Sequence, residues 1–138
     1  MTPISDVFTP AERSRVMAAV GSRNTAPEIA VRRNLTLRGL RYRLHRKDLP
    51  GRPDIVLPGR GLLIFVNGCF WHGHDCGRGT IPASNRRFWR SKLARNVQRD
   101  HEQQTRLAAL GWKVAVVWEC QTRNPRTLDS VVEHTLNL

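Results

Sequence analysis

Acidic residues are scarce in this chain of 138 residues: 11 Asp+Glu stand against 23 Lys+Arg, a formal charge of +12 at pH 7. A deficit of that size goes beyond what solubility requires and suits a polyanionic partner, most simply nucleic acid. Arginine supplies nearly all of the positive charge, and its planar fork grips phosphates in bidentate fashion. Long apolar runs are missing as well. The longest, 62–66 and 114–118, are far too short to cross a bilayer as a helix. The opening residues, Met1 to Phe8, lack the basic and apolar stretches of a signal peptide, so a cytoplasmic protein is expected. Cysteine is sparse: three cannot pair without a remainder, which favours a metal or a free thiol over a disulfide framework. Repeats, low-complexity stretches and linkers are lacking too. One domain over 1–138 is expected, with 1–8 as a flexible tail and no membrane contact.

The helix and strand signals are regular. Thr9-Pro10-Ala11-Glu12 reads as a helix start, and Gly21 as its stop. Thr25-Ala26-Pro27-Glu28 starts a second helix, expected to run to about Arg38 and close at Gly39. Residues 40–45 alternate like a half-buried strand. A loop rich in Pro and Gly, 49–53, leads into a strand over 54–57, and Pro58-Gly59-Arg60-Gly61 turns the chain into a strand over 62–66. That hairpin places Asp54 opposite Phe65 or Val66. A long helix is expected over 88–110, with Leu93, Val97, Leu107 and Leu110 inward. A nearly all-apolar strand over 112–118 is expected at the centre of the sheet, and a last helix opens at Asn124-Pro125. The order α-α-β-β-β-α-β-α implies an α/β or α+β sheet covered on both faces.

Chemistry concentrates in Val66 to Cys76, where eleven residues hold two thiols, two imidazoles, a carboxylate and two large aromatics. Cys69, His74 and Cys76, with Cys120 at the end of a strand, make a Cys₃His set suited to a structural zinc; buried core cysteines are the alternative. Asp54 at the start of a strand is placed as a magnesium carboxylate, or else as an aspartate accepting a backbone hydrogen bond. A lysine and a second acid on the next strand are lacking, since Asn67-Gly68 stands there, so the carbonyl of Val66 is the available second oxygen. His72 is a candidate general base, and otherwise an orienting group or a further zinc ligand. Phe70, Trp71 and Trp89 are candidate wedges into a base step, with packing as the alternative, most of all for Trp89 at a helix start. Helix capping accounts for Glu28 unaided.

With these residues set out, the chain resembles the very short patch repair (Vsr) endonuclease family. The resemblance runs from about Thr9 to about Leu136 and rests on Thr25 to Glu28, Leu49 to Asp54, Phe65 to Cys76, Phe88-Trp89, Asn96 to Asp100, Leu110 to Trp112 and Val117 to Cys120. It implies a restriction-endonuclease-like α/β fold, a mixed sheet flanked by helices, with a structural zinc site. The implied activity is a Mg²⁺-dependent nick in one strand of duplex DNA, 5′ to the thymine of a T:G mismatch, the lesion left when 5-methylcytosine deaminates. By position, Asp54 would be the magnesium carboxylate and Val66 would lend its carbonyl. His72 would be the base, Glu28 would help hold the water network around the metal, and Cys69, His74, Cys76 and Cys120 would hold zinc. Phe70, Trp71 and Trp89 would intercalate, with Lys92 and Asn96 near the base pair. A monomer at the nucleoid, with mismatch-repair factors as further partners, fits this picture. Family members often carry threonine and histidine where this chain has Val66 and Asn67; Asn67 cannot titrate but can hydrogen-bond a phosphate. The rivals are a related nuclease for another mismatch or modified site, and a zinc-stapled DNA-binding module that does not cut.

Overall fold

The computed structural model describes residues 24–69, 72, 74 and 84–138. The helix expected from Thr9 to Gly21, and the site candidates Phe70, Trp71 and Cys76, lie outside the described residues.

The first described helix, α1 (Ala26–Leu37), begins where the sequence signals it. The Thr25 hydroxyl accepts from the Glu28 N–H at 3.2 Å, and Pro27 sits in the first turn, where no helical donor is needed. Past the Arg38 cap, Gly39 takes φ +76°, the left-handed turn that ends a helix. Strand β1 (Arg43–Leu44) is shorter than the alternating run 40–45 suggests. The side chains still obey the alternation: Leu40, Tyr42 and Leu44 all pack on the core. Strands β2 (Ile55–Leu57) and β3 (Leu62–Asn67) form the expected antiparallel hairpin through a 3₁₀ turn at Pro58–Arg60.

Helix α2 (Arg86–Ala109) then carries the chain across the sheet, and β4 (Lys113–Trp118) returns parallel to β3, the connection a parallel pair requires. Helix α3 (Pro125–Leu136) closes the chain, capped by the Asn124 side chain on the N–H groups of Arg126 and Thr127. Among the described residues the sheet order is β1-β2-β3-β4. Helices α1 and α3 cover one face through Val31, Leu35, Leu128 and Val132 on Ile55, Leu57, Leu62 and Ile64. Helix α2 covers the other through Leu107 on Val56, Leu63 and Phe65.

Two expectations need correcting. Among the described residues strand β4 lies at the end of the sheet order with alternating burial, while β3, buried at five of its six residues, is an inner strand. An apolar run reports burial of its faces, not whether a further strand lies alongside. On α2, Leu93 and Leu107 are buried, but Val97 is 45% and Leu110 64% exposed. At about 100° per residue Val97 stands roughly 80° around the helix from Leu107, off the buried stripe.

Candidate active site

The hairpin fixes the first element of the site. Ile55 pairs with Ile64, so Asp54 arrives beside Phe65 and Val66, and its Oδ2 accepts from the Val66 N–H at 2.7 Å. The loop before it is pressed down tightly. Gly51 takes φ +77°, and a Cβ there would meet Gln103 Oε1 at 3.0 Å and Phe65 Cζ at 3.2 Å.

From the other face of the sheet, α1 contributes Glu28, only 2% exposed. Its carboxylate does not turn back to close a capping box. Oε2 accepts from His45 Nε2 at 2.8 Å and from Arg32 Nη1 at 3.2 Å. Glu28, His45 and Asp54 thus offer three donor atoms within 4.8 Å of one another. Burial pushes the Asp54 carboxyl up to about 6. The Val66 N–H opposes this, the Glu28 charge adds to it, and His45 and His72 pull the other way.

The His72 N–H donates to the Gly68 carbonyl at 3.3 Å, and its Nδ1 lies in a short contact with Asp100 Oδ2 on α2. Among the described residues Nε2 has no such partner. Two residues on, His74 serves a different cluster. Its ring stacks on Trp118 at 4.1 Å between centroids, and its Nδ1 lies 3.7 Å from Cys120 Sγ. Cys69, His74 and Cys120 bring their ligand atoms within 4.8 Å of one another. The Cys69 N–H donates to Glu119 Oε1 at 3.3 Å, tying this cluster to the end of β4.

Asn67 ends β3, 5% exposed, and its carboxamide has no hydrogen-bond partner among the described residues. Lys92 and Asn96 are half-buried on α2 and, with Asp100, recur every four residues, which puts all three on one stripe of the helix. Trp89 is 2% exposed, its ring edge-on to Phe88 at 5.1 Å. In this structure it packs inward, the alternative the sequence left most open for this residue, and Phe88, 38% exposed, is the surface aromatic there.

The sequence profile described as "DNA mismatch endonuclease Vsr" matches residues 5–78. The chain belongs to the Vsr family. Among its relatives, the type II nicking enzyme V.XorIIP of Xanthomonas oryzae pv. oryzae is 47% identical over 97% of this chain and 98% of its own length. The type II nicking enzyme V.NmeAIP of Neisseria meningitidis serogroup A is 46% identical over 88% of this chain and 86% of its own. The DNA mismatch endonuclease Vsr of Escherichia coli K12 is 42% identical over 91% and 80%.

Four residues of this Vsr-family chain meet the candidate site residues without having been given a role by the sequence. Trp118 is a half-buried platform for His74. Glu119 holds the Cys69 backbone. Asp100 had a signal: it is the first acid on α2 after fourteen residues, 86–99, without one. His45 had none, because its approach to Glu28 depends on a tertiary path.

Proposed function

We propose that this protein hydrolyses one phosphodiester of duplex DNA, nicking 5′ to the thymine of a T:G mismatch with a magnesium ion. Zinc on Cys69, His74, Cys76 and Cys120 would serve only as a clamp. That the chain is a DNA endonuclease follows from its family. The observation that supports the rest is the meeting of Glu28, His45 and Asp54 at one end of the β2–β3 hairpin.

The donor sets fit the two ions differently. Two carboxylates brought together out of water, one of them with its acidity weakened by burial, form a site that a divalent cation offsets. Thiols with an imidazole within tetrahedral reach are the donors zinc prefers. Asp54 and the Val66 carbonyl would hold the magnesium ion, with Glu28 ordering the water around it. When bound, the ion supplies positive charge to the phosphate oxygens as the displacement proceeds.

The remaining work falls to side chains. His72 takes the proton of the attacking water through Nε2, while Asp100 holds Nδ1 and so sets the ring's orientation and tautomer. Asn67 donates its buried amide to the phosphate. Phe70 and Trp71 enter the base step, and Lys92 and Asn96 stand near the mismatched pair.

The test is nicking of a T:G duplex beside its T:A control, with and without chelator. Nicking restricted to the T:G duplex and lost on chelation is the expected result. Asp54→Ala abolishes nicking and leaves mismatch binding largely intact. A wild-type chain that binds but does not cut with Mg²⁺ or Mn²⁺ sinks the proposal in favour of a binding module. A second target, another mismatch or a modified site, is favoured by Asn67 standing where relatives often carry histidine. A panel of heteroduplexes scored for the nicked strand separates the two.

A further inference from the structure

We propose that His45 is a positioning residue of the cation site, holding the buried carboxylate of Glu28 through Nε2 and thereby fixing where Glu28 stands relative to Asp54. The inference rests on reading that cluster as a metal site.

Glu28 is 2% exposed, so water cannot orient it, and it depends on protein donors. Two of them, His45 Nε2 at 2.8 Å and Arg32 Nη1 at 3.2 Å, converge on the same oxygen, Oε2. Among the described residues no donor reaches Oε1, and one carboxylate oxygen of Glu28 lies within 4.8 Å of the Asp54 carboxylate. A nitrogen whose hydrogen is donated to Glu28 has no lone pair left for an ion. Through Nε2 the imidazole therefore acts by way of the carboxylate.

The backbone supports the same role. His45 takes φ +51°, a left-handed conformation that is unfavourable for a residue with a Cβ. In that conformation its N–H donates to the Asp54 carbonyl at 3.0 Å while its ring reaches Glu28. One residue thus ties the main chain of one carboxylate to the side chain of the other. A strand that simply continued past Leu44 would gain nothing from this conformation.

The experiment is Mn²⁺ titration of the zinc-loaded protein without DNA, followed by electron paramagnetic resonance and checked against Asp54→Ala. His45→Gly removes the ring and relaxes the left-handed backbone, so the fold is retained and the melting temperature reports it. His45→Gln keeps an N–H donor at similar reach without an imidazole nitrogen. Loss of an outer-shell partner weakens metal affinity by about tenfold or more, so His45→Gly is expected to lose that much and His45→Gln to stay within about threefold of wild type. In a Glu28→Gln background, His45→Gly should cost nothing further, since the two act as one unit. Wild-type affinity in His45→Gly overturns the proposal. A Gln variant as weak as the Gly variant also overturns it, in favour of direct coordination. If wild type shows no Asp54-dependent Mn²⁺ binding, the metal-site reading itself falls and takes this inference with it.

Discussion

Asp54 carries a conflict that the folded chain does not relieve by itself. Its pKa stands at about 6 against an ordinary 3.8, because burial penalises the charge more than the Val66 N–H and the two imidazoles favour it. A carboxyl with a raised folded pKa binds its proton more tightly in the native state. It therefore weakens the metal-free protein as pH rises from about 4 through about 6. Asp54→Asn keeps the acceptor for Val66 and removes the charge. In urea melts of metal-free protein at pH 7.5 it should gain on the order of 1–3 kcal/mol, and the gain should vanish near pH 4. Asn67 presents the complementary case, a buried amide with no partner among the described residues. Replacing a buried amide removes its hydrogen-bonding capacity, so Asn67→Leu should lower nicking, and urea unfolding of the same variant reads what the amide contributes to the fold. A large loss of stability in that variant would show that the amide has a structural duty.

At the scale of elements, the ends were the most legible part of the sequence. Thr25, Gly39, Asn124 and Gly111 mark boundaries because capping is local chemistry between residues a few positions apart. Thr25→Ala should cost about 1 kcal/mol by the same reasoning, measured by thermal or urea unfolding. The β2–β3 hairpin was legible for a similar reason, since turn position sets register and register brought Asp54 to Val66. Features set by distant partners were not legible. Helical periodicity alone does not tell which side of α2 meets the sheet, and Val97 lies off that side. An aspartate at Val97 should be tolerated to within about 0.5 kcal/mol, whereas the same change at Leu93, 6% exposed, should unfold the domain or come close. The position of β4 in the sheet and the meeting of His45 with Glu28 belong to the same class. Each depends on a neighbour far away along the chain.

For the whole molecule, the +12 charge and the placement of the clusters act together. If arginines meet six or more phosphates, affinity for any duplex should fall by about a thousandfold between 50 and 200 mM salt, while preference for the mismatch changes little. Fluorescence anisotropy across a salt series measures both. Among the described residues no helix is long and apolar enough to cross a membrane. His72 and His74 belong to different neighbourhoods, one bound to Asp100 on α2 and the other beside the cysteine at the end of β4. Spacing in this stretch is therefore constrained more severely than composition. Exchanging one side chain gives a graded loss, but a single-codon insertion or deletion between the two imidazoles would send one of them to the wrong address. Across natural variants, indels should be missing from this interval even where its point substitutions are plentiful.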